Sequence, residues 1–303
     1  MDRVTSQTWF AKHETFHPRY GWLKKGFDKS AENSNIFLEK NAPTVLGVGK
    51  NMVKAIKYWG IAYKILQTTS DKKITSSYFG EQLFGVNGWD TYLEDPASLW
   101  LLHWNLLKIP CYATTWFYVF NVFNQHMFTI DDILAGLIEY KEKIFPLAKI
   151  SPASLSTDIS CFLRMYLNLE NKNEMFEDSI NSPFIELDLI KNHGDNKHYT
   201  FNFDFKTNLA PEVLVAACLE FAGLYAKETK TINISRLLYE EGSPGQCFKI
   251  KEDILCDSIE KISKGFADIT LSETAGLIQF SYNNNNPFKL SEEMLKNYYL
   301  KRG

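Results

Sequence analysis

Residues 46–66 read LGVGKNMVKAIKYWGIAYKIL, and this run decides the fold class. From Lys50 onward, Met52, Val53, Ile56, Trp59, Ile61, Tyr63 and Leu66 recur at helical spacing. Lys50, Lys54, Lys57 and Lys64 fall together on another side, which predicts an amphipathic helix with a basic face. Upstream, FHPRYGWLKKGF at 16–27 opens a shorter helix from Gly21 to about Glu32, with Trp22, Leu23 and Phe27 inward. Asn33 to Pro43 reads as loop, and Asp71 to Ser77 as a short strand around Ile74 and Thr75. Helix, loop, longer helix and strand together predict a winged-helix-like unit.

Charge is unevenly placed. Residues 1–67 hold eleven Lys and Arg against five Asp and Glu, a balance of +6, while the 303-residue chain is −3 and its remainder therefore −9. A basic head on an acidic body points to an anionic partner, and double-stranded DNA offers the commonest large one. Composition is globular, at 45% apolar and 23% charged. Aromatic residues crowd Trp89 to Phe128, where a large aromatic core and a base-stacking platform are both open readings. The start, MDRVTSQTWF, lacks the apolar run of a secretory signal. The longest apolar segment, Ser98 to Phe123, is broken by His103, Asn105, Lys108 and Pro110. The expected location is the cytoplasm, with no membrane contact. Cys111, Cys161, Cys218, Cys247 and Cys256 form no C-x-x-C pair, which argues against a disulfide frame and a structural zinc site.

The middle reads as helical. Ser98–Leu107 follows Pro96, Cys111–Phe123 is a second apolar segment, and Thr129 with Asp132 caps a helix through Ile144. Ser154–Leu169 is a further helix, followed by a linker over Ser179–Pro183. Phe184 to Lys206 alternates as a β-hairpin around Asn192–Asn196. After a buried helix over Pro211–Ala226 come Ile232–Tyr239, a loop at Gly242–Gly245, Lys251–Lys264 and two strands around Glu273–Gly276. That is a second winged-helix-like unit. From Lys227 to Lys264 seven cations meet seven anions, a balance that suits protein packing better than DNA. The fold class is therefore mainly α, with winged-helix-like units at both ends of a helical centre carrying one hairpin. The expected segments are 1–88, 89–178 and 179–303.

Gly47-Val-Gly49-Lys50 fails as a Walker loop, because Thr44 and Asn51 stand where glycine and a hydroxyl residue are needed. It also fails as a dinucleotide fingerprint, because Met52 replaces the third glycine. What remains is a helix N-terminus whose amides, beside Lys50 and Asn51, suit a DNA phosphate. Arg19, Lys24, Lys25, Lys54 and Lys57 complete the expected DNA-binding set. His13, Glu14, His17 and Arg19 read either as a general base with a phosphate clamp, making His17 a catalytic candidate, or as an exposed basic arm that only positions DNA. Asp90, Glu94 and Asp95 precede a helix and suit a divalent metal, magnesium or manganese, with Glu94 and Asp95 the catalytic pair. Acids also belong at helix N-termini for dipole reasons alone. His103, between Trp100 and Trp104, reads as a satisfied core residue. Asp188 with Asp204-Phe-Lys206 mimics a D…D-x-K nuclease set, and equally the solvent face of any hairpin. No G-x-S-x-G, H-E-x-x-H or kinase set occurs.

HETFHPRYGWLKKGF at 13–27, APTVLGVGKNMVKAIKYW at 42–59 and YLEDPASLWLLHW at 92–104 resemble an SspB-like bacterial family, long carried as a domain of unknown function. SPGQCFK at 243–249 and ETAGLIQ at 273–279 extend the resemblance over nearly the full length. Members of that family sit in DNA phosphorothioation gene clusters. The resemblance implies DNA binding and strand nicking in an anti-phage modification system. It also implies partners: a cysteine desulfurase, an ATPase and an ATP pyrophosphatase-like sulfur-transfer enzyme. It assigns no catalytic residue, so the carboxylate candidates rest on chemistry alone. Two functions stay open, a DNA nickase and a non-catalytic DNA-binding adaptor that recruits the sulfur-transfer enzymes.

Overall fold

The structure, a computed structural model, describes residues 8–168, 181–195 and 197–302. The start of the chain, Ser179 and Ile180 of the expected linker, and Asn196 of the expected turn lie outside the described residues. Thirteen α-helices and small antiparallel sheets make the described chain mainly helical.

The first helix, α1 (Trp22–Glu32), buries Trp22, Leu23, Phe27 and Ser30 on one stripe. A short α2 (Ala42–Leu46) leads through Gly47 and Gly49 into α3 (Lys50–Ala62), which buries Val53, Ile56 and Trp59. The two longer helices cross so closely that a Cβ on Gly26 would lie 2.9 Å from the Ile56 side chain, so the crossing requires glycine. Helix α3 stops short of the expected Leu66. Lys64 takes a left-handed φ of 60°, and the chain turns into β1 (Leu66–Thr68), paired antiparallel with β2 (Ile74–Ser76). Ser77 then caps α4 (Tyr78–Phe84) by accepting the Gly80 N–H at 2.9 Å.

The centre is helical as expected. Helices α5 (Pro96–Leu107) and α6 (Thr114–Asn121) are buried almost all round. The capping box of Thr129 and Asp132 opens α7 (Ile130–Ile144), and Ser151 caps α8 (Pro152–Tyr166). The expected strand from Phe184 is instead a 3-10 turn over Pro183–Leu187, because proline opens it and Phe184 and Leu187 both point into the core. The hairpin shrinks to β4 (Ile190–Asn192) and β5 (Tyr199–Phe201), and β5 also pairs with a strand before α7, β3 (Met127–Phe128).

The C-terminal part runs α9 (Pro211–Tyr225), β6 (Thr231–Asn233), α10 (Ile234–Tyr239), α11 (Pro244–Phe248), α12 (Glu252–Ser263), β7 (Ile269–Thr274), β8 (Leu277–Tyr282) and α13 (Pro287–Leu300). Its sheet has the order β6-β8-β7. Buried side chains from Phe10 to Tyr299 join one apolar cluster, to which all three expected segments contribute. Among the described residues, no helix is long and apolar enough to cross a membrane.

His103 sits in this core with no exposure. Its Nε2–H donates to the Cys247 carbonyl at 2.8 Å, and its Nδ1 accepts from the Tyr166 hydroxyl at 2.9 Å. Burial holds its pKa down, at about 4, so the ring is neutral. Between about pH 4 and 6.5 the unfolded chain binds a proton that the folded chain does not, so stability rises with pH across that window and is lost as pH falls. The full effect is on the order of 3 kcal/mol. Urea denaturation of His103→Gln is expected to show lower stability at pH 7 but a shallower decline towards pH 4 than wild type. Parallel declines in the two proteins would show that His103 does not set the slope.

Candidate nucleic-acid interface

Helices α1 and α3 turn their apolar stripes to the core and leave their cations outside. On α3, Lys50, Asn51 and Lys54 are exposed and Lys57 is half-buried, in a row opposite the fully buried Trp59. The Gly49 N-cap makes no side-chain cap bond and the first turn carries no acid, so the leading amides of α3 face outward beside Lys50. On α1, Lys24 pairs with Asp28 at 2.5 Å, and Lys25 donates to the Leu46 carbonyl at 3.0 Å. That bond ties α1 to the turn that opens α3. Lys54 pairs with Glu14 at 3.2 Å. Lys64 does not join this face. It turns inward and donates to the Asn105 carbonyl and, at 2.9 Å, to that of Lys108. Burial holds its pKa down, at about 7.

The exposed arm expected for His13, His17 and Arg19 is instead buried, at 1%, 6% and 7% exposure. His13 Nε2 lies 2.8 Å from Asp158 on α8, which also accepts the Ala11 N–H at 2.9 Å and the Thr115 hydroxyl at 2.8 Å. Burial opposes a charge on His13, but Cys161 and the Asp158 carboxylate outweigh it and hold its pKa up. The result is a buried imidazolium–carboxylate pair. His17 goes the other way: burial, then the cations of Arg164 and Arg19, hold its pKa down, at about 3. The Arg19 guanidinium lies 5.2 Å from the Trp22 ring and 5.6 Å from that of Phe16, so it packs under α1. The arm thus supports the basic face from beneath.

The acidic loop is built as a helix start. Asp90 accepts the backbone N–H groups of Glu94 and Asp95 at 2.9 and 3.0 Å and the Ser98 hydroxyl at 2.6 Å. Asp95 is the N-cap of α5, accepting the Ala97 N–H at 3.0 Å. It also accepts the Tyr298 hydroxyl at 3.0 Å and pairs with Arg302 at 3.0 Å. Glu94 is exposed. Among the described residues no group of three or more His, Cys, Asp or Glu is placed to hold a metal ion. Both aspartates are turned to protein donors, Asp90 to backbone N–H groups and Ser98, and Asp95 to Tyr298 and Arg302. Sequence reasoning missed Ser98, in the first turn of α5, and Tyr298 and Arg302, which reach the loop from the far end of the chain. The only local signal was the four-residue spacing of Tyr298, in the last turn of α13 (Pro287–Leu300), and Arg302, just past its end.

The hairpin residues do come together, around Asn202. Its amide donates to Asp188 Oδ2 at 2.6 Å, its Oδ1 accepts the Asp204 N–H at 3.0 Å, and its backbone carbonyl accepts from Lys206 Nζ at 2.8 Å. Lys206 also donates to the Asp204 carbonyl, and Asp204 pairs with Lys191 at 2.6 Å. Burial lowers the Lys206 pKa to about 8. The ammonium is therefore aimed at backbone oxygens, while Asp188 and Asp204 lie at the surface.

A mainly helical chain with an outward row of lysines on a buried scaffold is the class that this geometry defines. The chain belongs to the family described as protein of unknown function DUF4007, whose model matches residues 10–299. It is SspB-like. The magnesium ion-bound crystal structure of SspB superposes with a TM-score of 0.89 at 31% identity, covering 98% of this chain and 89% of that one. A further SspB crystal structure gives 0.88 at the same identity and coverage. No curated protein matches the chain.

The cap reading of the acidic loop has a direct consequence. Asp95→Ala is expected to cost about 1–2 kcal/mol in urea denaturation, as loss of an N-cap does, whereas Glu94→Gln leaves stability unchanged. Equal, negligible effects would show that Asp95 does not hold α5.

Proposed function

We propose that the chain is the DNA-binding component of a bacterial DNA phosphorothioation system, acting in the cytoplasm on double-stranded DNA. The observation that carries the reading is the row Lys50, Asn51 and Lys54 exposed on α3 opposite buried Trp59, with the uncapped amides of the helix start alongside. Such a surface meets phosphates with both charge and N–H donors. Lys57, and Lys24 and Lys25 on α1, extend it. The order α1–α2–α3 followed by the β1–β2 hairpin supports a winged-helix-like unit, with α3 as the helix laid against DNA. The order α9–β6–α10–α12–β7–β8 supports a second such unit. There α12 carries Glu252, Asp253, Asp257 and Glu260, so it suits protein rather than phosphate. The partners proposed for it are the cysteine desulfurase, the ATPase and the ATP pyrophosphatase-like enzyme of the same system. The likeness to SspB supports this placement.

Within that role, strand nicking is the proposed reaction. It would let sulfur be installed in one backbone, and it brings a requirement for magnesium or manganese. The second reading, a non-catalytic adaptor, is favoured by the engagement of Asp90 and Asp95 in capping α5.

Two measurements test these readings. Lys50→Glu combined with Lys54→Glu is expected to abolish duplex retention at low salt while the protein stays folded. Wild-type affinity is expected to fall with salt at a log–log slope of about −0.9 per phosphate contact. A double variant that binds like wild type would place the interface elsewhere. Supercoiled plasmid is expected to relax to open circle with magnesium or manganese and not with EDTA. Relaxation lost in Asp204→Asn but kept in Glu94→Gln with Asp95→Asn would put the chemistry at the hairpin, and the reverse would put it at the acidic loop. No relaxation with either metal would favour the adaptor.

A further inference from the structure

The turn before α1 breaks a local rule. Residues 13–16 close a tight turn in which the Phe16 N–H donates to the His13 carbonyl at 2.9 Å. Its two central residues, Glu14 and Thr15, both take left-handed φ values, 51° and 69°. Turns with both central φ values positive usually carry asparagine and glycine there, and a β-branched residue at positive φ is an outlier. Such strain persists only where the surrounding structure imposes it. Here it is imposed from both sides. Before the turn, His13 is fixed to Asp158 by the buried pair at 2.8 Å. Within it, the Thr15 carbonyl accepts from the Arg164 guanidinium at 2.8 Å. Asp158 and Arg164 both belong to α8. The arm is thus clamped to one helix on either side of Glu14, and Glu14 is the side chain that the turn presents. It reaches across to α3, where its carboxylate pairs with Lys54 at 3.2 Å.

We propose that Glu14 is a gate on the DNA-facing row, an internal anion that holds Lys54 in the free protein and that a backbone phosphate displaces. The proposal rests on the DNA-binding reading and adds how that surface is regulated. A carboxylate and a phosphate compete for the same ammonium, because both offer anionic oxygens to one compact charge. The side chains of Lys54 and Glu14 are 53% and 32% exposed, so the pair is of the weak, solvated kind that an incoming phosphate can replace. The clamped backbone cannot follow the carboxylate, so opening is a rotation of the Glu14 side chain alone. Duplex binding through Lys54 therefore works against this pair, and the gate lowers affinity without altering the fold. The strained turn keeps the carboxylate at the row when no DNA is there.

The test measures duplex affinity of the full chain by fluorescence anisotropy at low salt, in a double-mutant cycle. Glu14→Gln keeps the shape of the side chain and removes its charge. It is expected to tighten duplex binding about threefold, the size of an exposed ion pair. In a Lys54→Gln background the same change is expected to gain clearly less, because no ammonium is left to release. The melting temperature of Glu14→Gln is expected to stay close to that of wild type, since a surface pair contributes little to stability. Unchanged or weaker affinity in Glu14→Gln, with wild type binding the duplex, would overturn the gate and leave the DNA-binding reading standing. An equal gain in both backgrounds would also overturn it, since the charge would then act through its general field and not through Lys54. Wild-type protein that binds no duplex would instead defeat the DNA-binding reading, and the gate with it.

Discussion

The structure depends on the placement of one indole. Trp59 is fully buried, and its Nε1–H donates to the Phe16 carbonyl at 2.9 Å. Around it stand Trp116 at 5.3 Å and Tyr63 at 5.7 Å, while His13 stacks on it at 6.1 Å. One side chain of α3 is thus packed against the N-terminal arm and α6 at once. With Trp59 inward, helical geometry leaves Lys50 and Lys54 no direction but outward. The position of the basic row is a consequence of core packing, and rotating α3 to hide it would expose the largest residue of the helix.

The arm around Trp59 shows how polar groups are accommodated beneath a charged surface. His13 and Asp158 are a buried pair whose further lone pairs are met by the Ala11 amide and the Thr115 hydroxyl. Removing either partner would leave a buried charge unmatched, which costs far more than the pair itself contributes. Lys64 and Lys249 solve a similar problem. Both sit in left-handed turns just past helix ends and send their ammonium groups to backbone carbonyls, Lys249 to that of Phe120 at 2.6 Å. Lys249 also lies 4.3 Å from the Phe201 ring. Cations near helix C-termini complement the dipole and satisfy carbonyls that the helix cannot.

Much of the helical order was legible because it is locally encoded. The Thr129–Asp132 box, the proline starts of α5 and α9, and the apolar period of α3 each fix a helix within a turn or so of its own sequence. The strand expected at Phe184 failed for a reason outside the segment. Phe184 stacks on Tyr63 at 5.0 Å, and a compact turn reaches that contact where an alternating strand would present only every second residue. The acidic loop was ambiguous in sequence because carboxylates before a helix serve a metal and a cap equally well. The side chains that engage Asp95, those of Tyr298 and Arg302, come from the far end of the chain, and nothing near Asp95 in sequence points to them.

What the sequence by itself determined, then, is the mainly helical class, the family, and the segregation of positive charge into the first 67 residues. The helical class and the charge imbalance are properties of period and composition, the family is carried by the motifs, and all three survive without knowledge of which segments touch. Only the tertiary structure decided which charges face solvent. Arg19 and Lys64 belong to the basic head by count but are drawn inward by Trp22 and by the carbonyls at the end of α5, whereas Lys50 and Lys54 stay outside. It likewise left Tyr92 exposed while covering the other aromatic side chains between Trp89 and Phe128, which look alike in sequence. Burial depends on contacts between residues distant in the chain, and no periodicity within a single segment records them.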